Sequence, residues 1–98
     1  MGLTYLRGGI PRHVNGTTAN PTAVEEWTWE GGIANYLVFQ NNGTGAIVLS
    51  FTLVDATAGI GVSVANGTTF EVPAEIGGFY TKSTAAQAFT AVVFLRRG

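Results

Sequence analysis

At 98 residues the chain has room for one domain, and 46% hydrophobic content against 11% charge excludes the low-hydrophobicity, high-charge regime of disorder. A net charge of −1 with five basic residues and no aromatic-basic stripe gives a poor footprint for nucleic acid. Without cysteine neither disulfides nor thiolate metal sites can form, and no apolar run approaches the ~18 residues of a membrane helix, so the expectation is a folded, soluble chain that depends on burial or assembly and uses no cofactor or metal.

The chain opens with "MGLTYLRGGIPRH", which has no apolar run of the export type. Leu6 stands where a myristoylation signal favours Ser or Thr, so neither a leader nor a lipid anchor is expected. Residues 1–22 scatter their apolar side chains and carry Gly8-Gly9, Pro11 and Pro21 as breakers. They read as an extended N-terminal arm, followed by a single β-domain over residues 23–98.

Asn-Gly-Thr occurs three times, at 15–17, 42–44 and 66–68. In a chain without an export signal these are turns rather than glycan acceptors. The first copy, in a run rich in Thr, Asn and Pro, reads as irregular loop; the other two read as turns, the second closing a hairpin over residues 35–53.

Beyond the arm the pattern is that of strands. "VEEWTWE" places Trp27 and Trp29 on one face and Glu26, Thr28 and Glu30 on the other. "AIVLSFTLV" puts Ile47, Leu49, Phe51 and Leu53 on a core face. "GIGVSV" alternates at Ile60, Val62 and Val64, "TFEVP" is a strand stopped by Pro73, "GGFYTK" is a short strand, and "QAFTAVVFLRR" is a long closing one. No helical periodicity is evident. Short strands at this spacing predict an all-β fold, a small antiparallel β-sandwich or jelly-roll-like barrel.

The closing strand is apolar on both faces: Phe89, Ala91, Val93 and Leu95 on one, Val92 and Phe94 on the other. One face of a small two-sheet protein normally meets water, so the second calls for a cover. Another subunit would supply it through Val92 and Phe94; the alternative is the arm folding back with Leu3, Tyr5, Leu6, Ile10 and Val14.

Charge is sorted along the chain. Residues 1–22 hold only Arg7 and Arg12, residues 23–80 hold all six acids and no Lys or Arg, and Lys82, Arg96 and Arg97 follow. Basic ends around an acidic body favour contact with an acidic surface or with a neighbouring copy.

Catalytic groups are scarce. The single histidine, His13, falls in an expected loop with no base or metal partner in sight. Glu25, Glu26 and Glu30 read as solvated charge, and the Gly-Gly pairs lack the residues of a phosphate loop. An enzyme is not expected. Trp27 and Trp29 would stack on sugar if their face were exposed, and are otherwise core.

"YLVFQNNGTGAIVLSFTLVDA", "TFEVPAEIGGFYTKST" and "FTAVVFLRRG", spanning residues 35–98, resemble the small head-decoration proteins of tailed bacteriophages. The shared pattern is a strand ending in Asn-x-Gly, a pre-proline strand, and an aromatic-basic pair before a last apolar strand. The resemblance implies a capsid cement protein, often trimeric, that binds the assembled head and bridges major capsid protein subunits on the virion surface. Arg7 and Arg12 would then be the arm's contacts to capsid carboxylates, and Arg96 and Arg97 would meet a neighbouring copy. The alternative is a carbohydrate- or host-surface-binding module of a phage tail or fibre.

Overall fold

The computed structural model describes residues 10–18 and 23–95. In chain order these form β1 (Ile10–Thr17), β2 (Glu25–Trp27), β3 (Ala34–Asn41), β4 (Ile47–Ser50), helix α1 (Leu53–Ala58), β5 (Val62–Val64), β6 (Thr69–Val72), β7 (Phe79–Lys82) and β8 (Ala88–Leu95). The strands pair as a nested set, all antiparallel: β1 with β8, β2 with β7, β3 with β6, and β4 with β5. Two more pairings, β3 with β8 and β4 with β7, roll the set into two sheets of order β1-β8-β3-β6 and β2-β7-β4-β5. This is the double-sheet jelly-roll arrangement, and the protein is a small antiparallel β-sandwich as expected.

Alternation sets the core. Leu37 and Phe39 of β3 and Phe89, Ala91, Val93 and Leu95 of β8 point inward and are buried, meeting Ile47, Leu49, Val64 and Phe79 of the second sheet. At the centre Phe39, Phe79 and Phe89 form a triad with ring centroids 5.0, 5.7 and 6.0 Å apart, the offset and edge-on contacts that the ring quadrupole favours. One bulge interrupts β3. Ala34 pairs with Leu95 and Tyr36 with Phe94, so Asn35 is the extra residue, and Ala34 exchanges two backbone hydrogen bonds with Ile76.

Three expectations are corrected. Residues 10–17 are not arm or loop but an eight-residue edge strand, β1, laddered to β8. Its sequence hides this because Val14 is the one apolar side chain among residues 11–17, and it enters the core; the complementary strand, more than an internal pattern, defines it. Val14 therefore does not cover the outer face of β8. Gly16 is needed for close approach: a Cβ there would lie 2.5 Å from the Trp27 ring, which packs across β1.

Second, neither later Asn-Gly-Thr closes a hairpin. β3 and β4 lie in different sheets, as do β5 and β6, so both turns carry the chain across the sandwich. Alternation tells which face is inward but not which sheet owns it, and both sheets face one core. Gly67 adopts φ +76° as a left-handed turn requires. Gly43 does not appear among the positive-φ glycines; it is small because a Cβ would meet the Gln87 amide.

Third, the strand containing Ile47 and Leu49 ends at Ser50, and Leu53 opens α1 instead of joining the core. Thr52 caps the helix by accepting the Asp55 N–H, and Gly59 closes it. The helix lies over the outside of the second sheet, burying Ala56 and reaching Lys82, whose ammonium donates to the Thr57 carbonyl at 3.2 Å.

Candidate functional site

All three Asn-Gly-Thr segments gather at one end of the sandwich around two buried amides. Asn41 Nδ2 donates to the carbonyls of Gly45 (2.8 Å) and Val64 (2.9 Å), and its Oδ1 accepts the Gly43 N–H (2.8 Å). Gln87 Oε1 accepts from the backbone of Thr44 (2.7 Å) and Gly45 (3.0 Å). The Gln87 backbone exchanges hydrogen bonds with Thr18, directly after the first copy, and Asn41 exchanges backbone bonds with Gly67 and Thr68 of the third. Buried polar groups need partners, and here the backbone of the crossing loops supplies them. The two amides tie this end of the sandwich together.

The tryptophans are likewise structural. Both are half-buried against the core. The Trp27 indole N–H donates to Thr81 Oγ1 at 2.8 Å and its ring meets Phe89 edge-on at 4.9 Å. Trp29 donates to the Gly32 carbonyl at 2.8 Å and tilts against Phe79. They share a face, as the alternation indicates, but it is the inner one, so they do not present a sugar-stacking platform.

The outer face of the first sheet is different in kind. Because Val14, Leu37, Phe39, Ala91 and Val93 point inward, their neighbours point out, and the register places them in rows. Phe94 lies beside Tyr36, with ring centroids 6.0 Å apart. The next row is His13, Val92, Val38 and Glu71, one residue from each strand. The third is Asn15, Thr90, Gln40 and Thr69. Tyr36, Val38, Val92 and Phe94 are only half-buried, and His13 and Glu71 at the two edges are exposed. The Tyr36 hydroxyl donates to the Glu71 carboxylate, which holds that charge over the face.

On the opposite side of the sandwich α1 and its flanks present a second apolar surface: Leu53, Val54 and Ile60 are 57%, 79% and 59% exposed, with Val62 beside them on edge strand β5. Sequence reasoning missed it by assigning Leu53 to a core face and reading Ile60 and Val62 as one alternating strand with Val64. The Thr52-x-x-Asp55 spacing and Gly59 were the available signals of a helix.

Of the basic residues expected to make contacts, Arg7, Arg96 and Arg97 lie outside the described residues. Arg12 is an exposed residue of β1, paired with Val93, and its guanidinium lies beside Gly31 at one end of the sandwich. Val92 and Phe94 stand together on the outer face as expected. A cleft of about 360 Å³ lies between β2, β7 and residues 74–78, lined by Glu26, Phe51, Glu75, Ile76, Gly77, Gly78 and Tyr80. Among the described residues no group of three His, Asp or Glu side chains is placed to hold a metal ion, and no helix is long and apolar enough to cross a membrane.

Comparison with known proteins returns no match to any family, to any curated protein or to any solved structure.

Proposed function

We propose that the protein is a structural component of a phage virion, a decoration or cement protein whose copies associate with one another and bind the assembled head. The observation that carries this reading is a pair of apolar surfaces on opposite sides of one small sandwich that no other described strand or helix covers: the outer face of β8 and β3, and the α1–β5 surface. A molecule that bridges needs two contact surfaces facing different neighbours, and many modest contacts add when the partner is a lattice. Binding only the assembled shell would stabilise it by mass action. The jelly roll occurs among viral capsid domains but also among lectins, so the fold alone does not choose.

In this reading the first-sheet face joins copies and the α1 surface meets the major capsid protein, with the basic termini supplying contacts to acidic groups. The test is co-sedimentation with expanded empty heads of the encoding phage and, separately, with unassembled capsid protein. Binding to heads alone is expected, and Leu53→Glu with Val54→Glu should abolish it while β-sheet circular dichroism is retained. Equal binding by that variant would refute the assignment of the α1 surface.

A second reading rests on the cleft, where Tyr80 and Phe51 stand with two carboxylates. Carboxylates accept from sugar hydroxyls and aromatic rings stack on apolar sugar faces, so glycan binding, if present, belongs there and not at the tryptophans. Retention on polysaccharide that Tyr80→Ala removes would favour it.

A further inference from the structure

We infer that the outer face of the first sheet is an isologous interface, occupied by the same face of a second copy about a two-fold axis that runs parallel to the strands between β8 and β3. This deepens the proposed function and rests on its reading of that face as self-associating.

The argument is one of symmetry applied to the observed register. Two sheets that pack face to face about a two-fold must have the axis in the plane between them, and aligned packing leaves an axis nearly along the strands or one nearly across them. An axis along the strands exchanges β1 with β6 and β8 with β3. The row His13–Val92–Val38–Glu71 then falls on itself reversed: Val92 meets Val38 of the second copy, and His13 meets Glu71, twice per dimer. Phe94 meets Tyr36, and the polar row Asn15–Thr90–Gln40–Thr69 meets itself with Thr90 opposite Gln40 and Asn15 opposite Thr69. Apolar falls on apolar and polar on polar. An axis across the strands instead sets His13 on His13 and Glu71 on Glu71, leaving two carboxylates facing one another at the rim.

The distances are compatible. With strands 4.7–4.9 Å apart, β1 and β6 each lie about 7 Å from the axis. Aligned sheets cross at about 30°, so the axis lies about 15° from the mean strand direction and His13 is offset from Glu71 by about 4 Å along the strand, within the reach of both side chains across a sheet spacing of about 10 Å. The Tyr36 hydroxyl bond uses one acceptor site of the Glu71 carboxylate and leaves others open to His13. An isologous patch is self-complementary by definition, and at its rim a ring N–H of His13 facing the Glu71 carboxylate pairs donor with acceptor and fixes register.

The test is a charge swap in the full-length protein, read as the dimer dissociation constant by sedimentation velocity. H13E places like charges opposite each other at two symmetric positions and should weaken the dimer on the order of tenfold or more. H13E combined with E71K recreates opposite pairs and should restore affinity to within about threefold. Both residues are exposed, so the β-sheet circular dichroism of each variant should match that of the wild type, and melting temperature should fall only with the loss of dimer. A double variant no better than H13E, an H13E protein that dimerises normally, or a wild-type protein that is monomeric or three-fold would each overturn the inference. Failure of the wider reading looks different: a charge-swap-rescued dimer that ignores heads removes shell binding, and a monomer that still decorates heads removes only the two-fold.

Discussion

Replacing Asn41 by Leu should remove a large part of the protein's stability without touching its shape. The side chain is fully buried; Leu has the same branched four-atom outline but is bulkier, so it leaves no cavity and adds an overpacking cost to the loss. What is lost is three hydrogen bonds, to Gly45, Val64 and Gly43. At about 1 kcal/mol per bond, and more where the orphaned backbone group stays away from water, the sum is about 3–4 kcal/mol. A chain of this size has about 5–15 kcal/mol in total, and each kcal/mol moves the midpoint of such a domain by about 4–8 °C, so a fall of roughly 15–30 °C is expected. Urea and thermal unfolding followed by circular dichroism measure it. Asn41→Asp keeps the bond from Gly43 but forfeits both donated bonds and buries a charge, so it should be no better. A loss below about 1 kcal/mol for Asn41→Leu, with the urea slope unchanged, would refute the view that this amide ties the crossovers together.

Gly16→Val should displace the Trp27 ring, destabilising by about 1–3 kcal/mol and altering tryptophan fluorescence; an unaltered spectrum would contradict the packing of Trp27 over β1. Phe94→Lys should dissociate the self-associated form while costing the monomer little, since the side chain points away from the core; sedimentation velocity with circular dichroism separates the two effects. Thr52→Ala removes the cap of α1 and should cost about 1 kcal/mol, seen as faster amide exchange at Leu53–Ala58 with the sheets unaffected.

The strands that were legible in the sequence are those with a pattern of their own. β6 and β7 announce themselves by alternation and by Pro73 or Gly-Gly at their ends, and β8 by the apolar run Ala91–Leu95. β1 was not legible because an edge strand with one core residue has almost no pattern of its own; Pro11, Arg12, His13 and Asn15 read as loop until β8 is laid beside them. α1 escaped because six residues are too few for a 3.6-residue period to register, and only its caps betray it. The Asn-Gly turns were recognisable as turns, but a turn's residues fix its local geometry and not the sheet to which the next strand belongs. That assignment is made by the nested pairing, which is set by contacts far apart in sequence.

The same distinction governs the candidate interface. The doubly apolar character of β8 marks a face in need of cover from sequence alone, because it sits in consecutive residues. The polar pair at the rim is not marked in this way, since His13 and Glu71 become ends of one row only after four strands are set side by side. Sorting charge along the chain directs attention to the arginines near its termini, which are close in sequence, whereas the pattern that can specify an orientation is spatial and uses one histidine and one glutamate. A patch of Val, Phe and Tyr alone would permit association in many registers. The unlike groups at its edges, a ring N–H donor and a carboxylate acceptor, distinguish one two-fold from the other, because reversing the row exchanges His13 with Glu71 while leaving the apolar centre unchanged. Affinity and orientation are thus carried by different residues of the same row: burial of Val92 and Val38 favours contact, and the edge pair selects the axis.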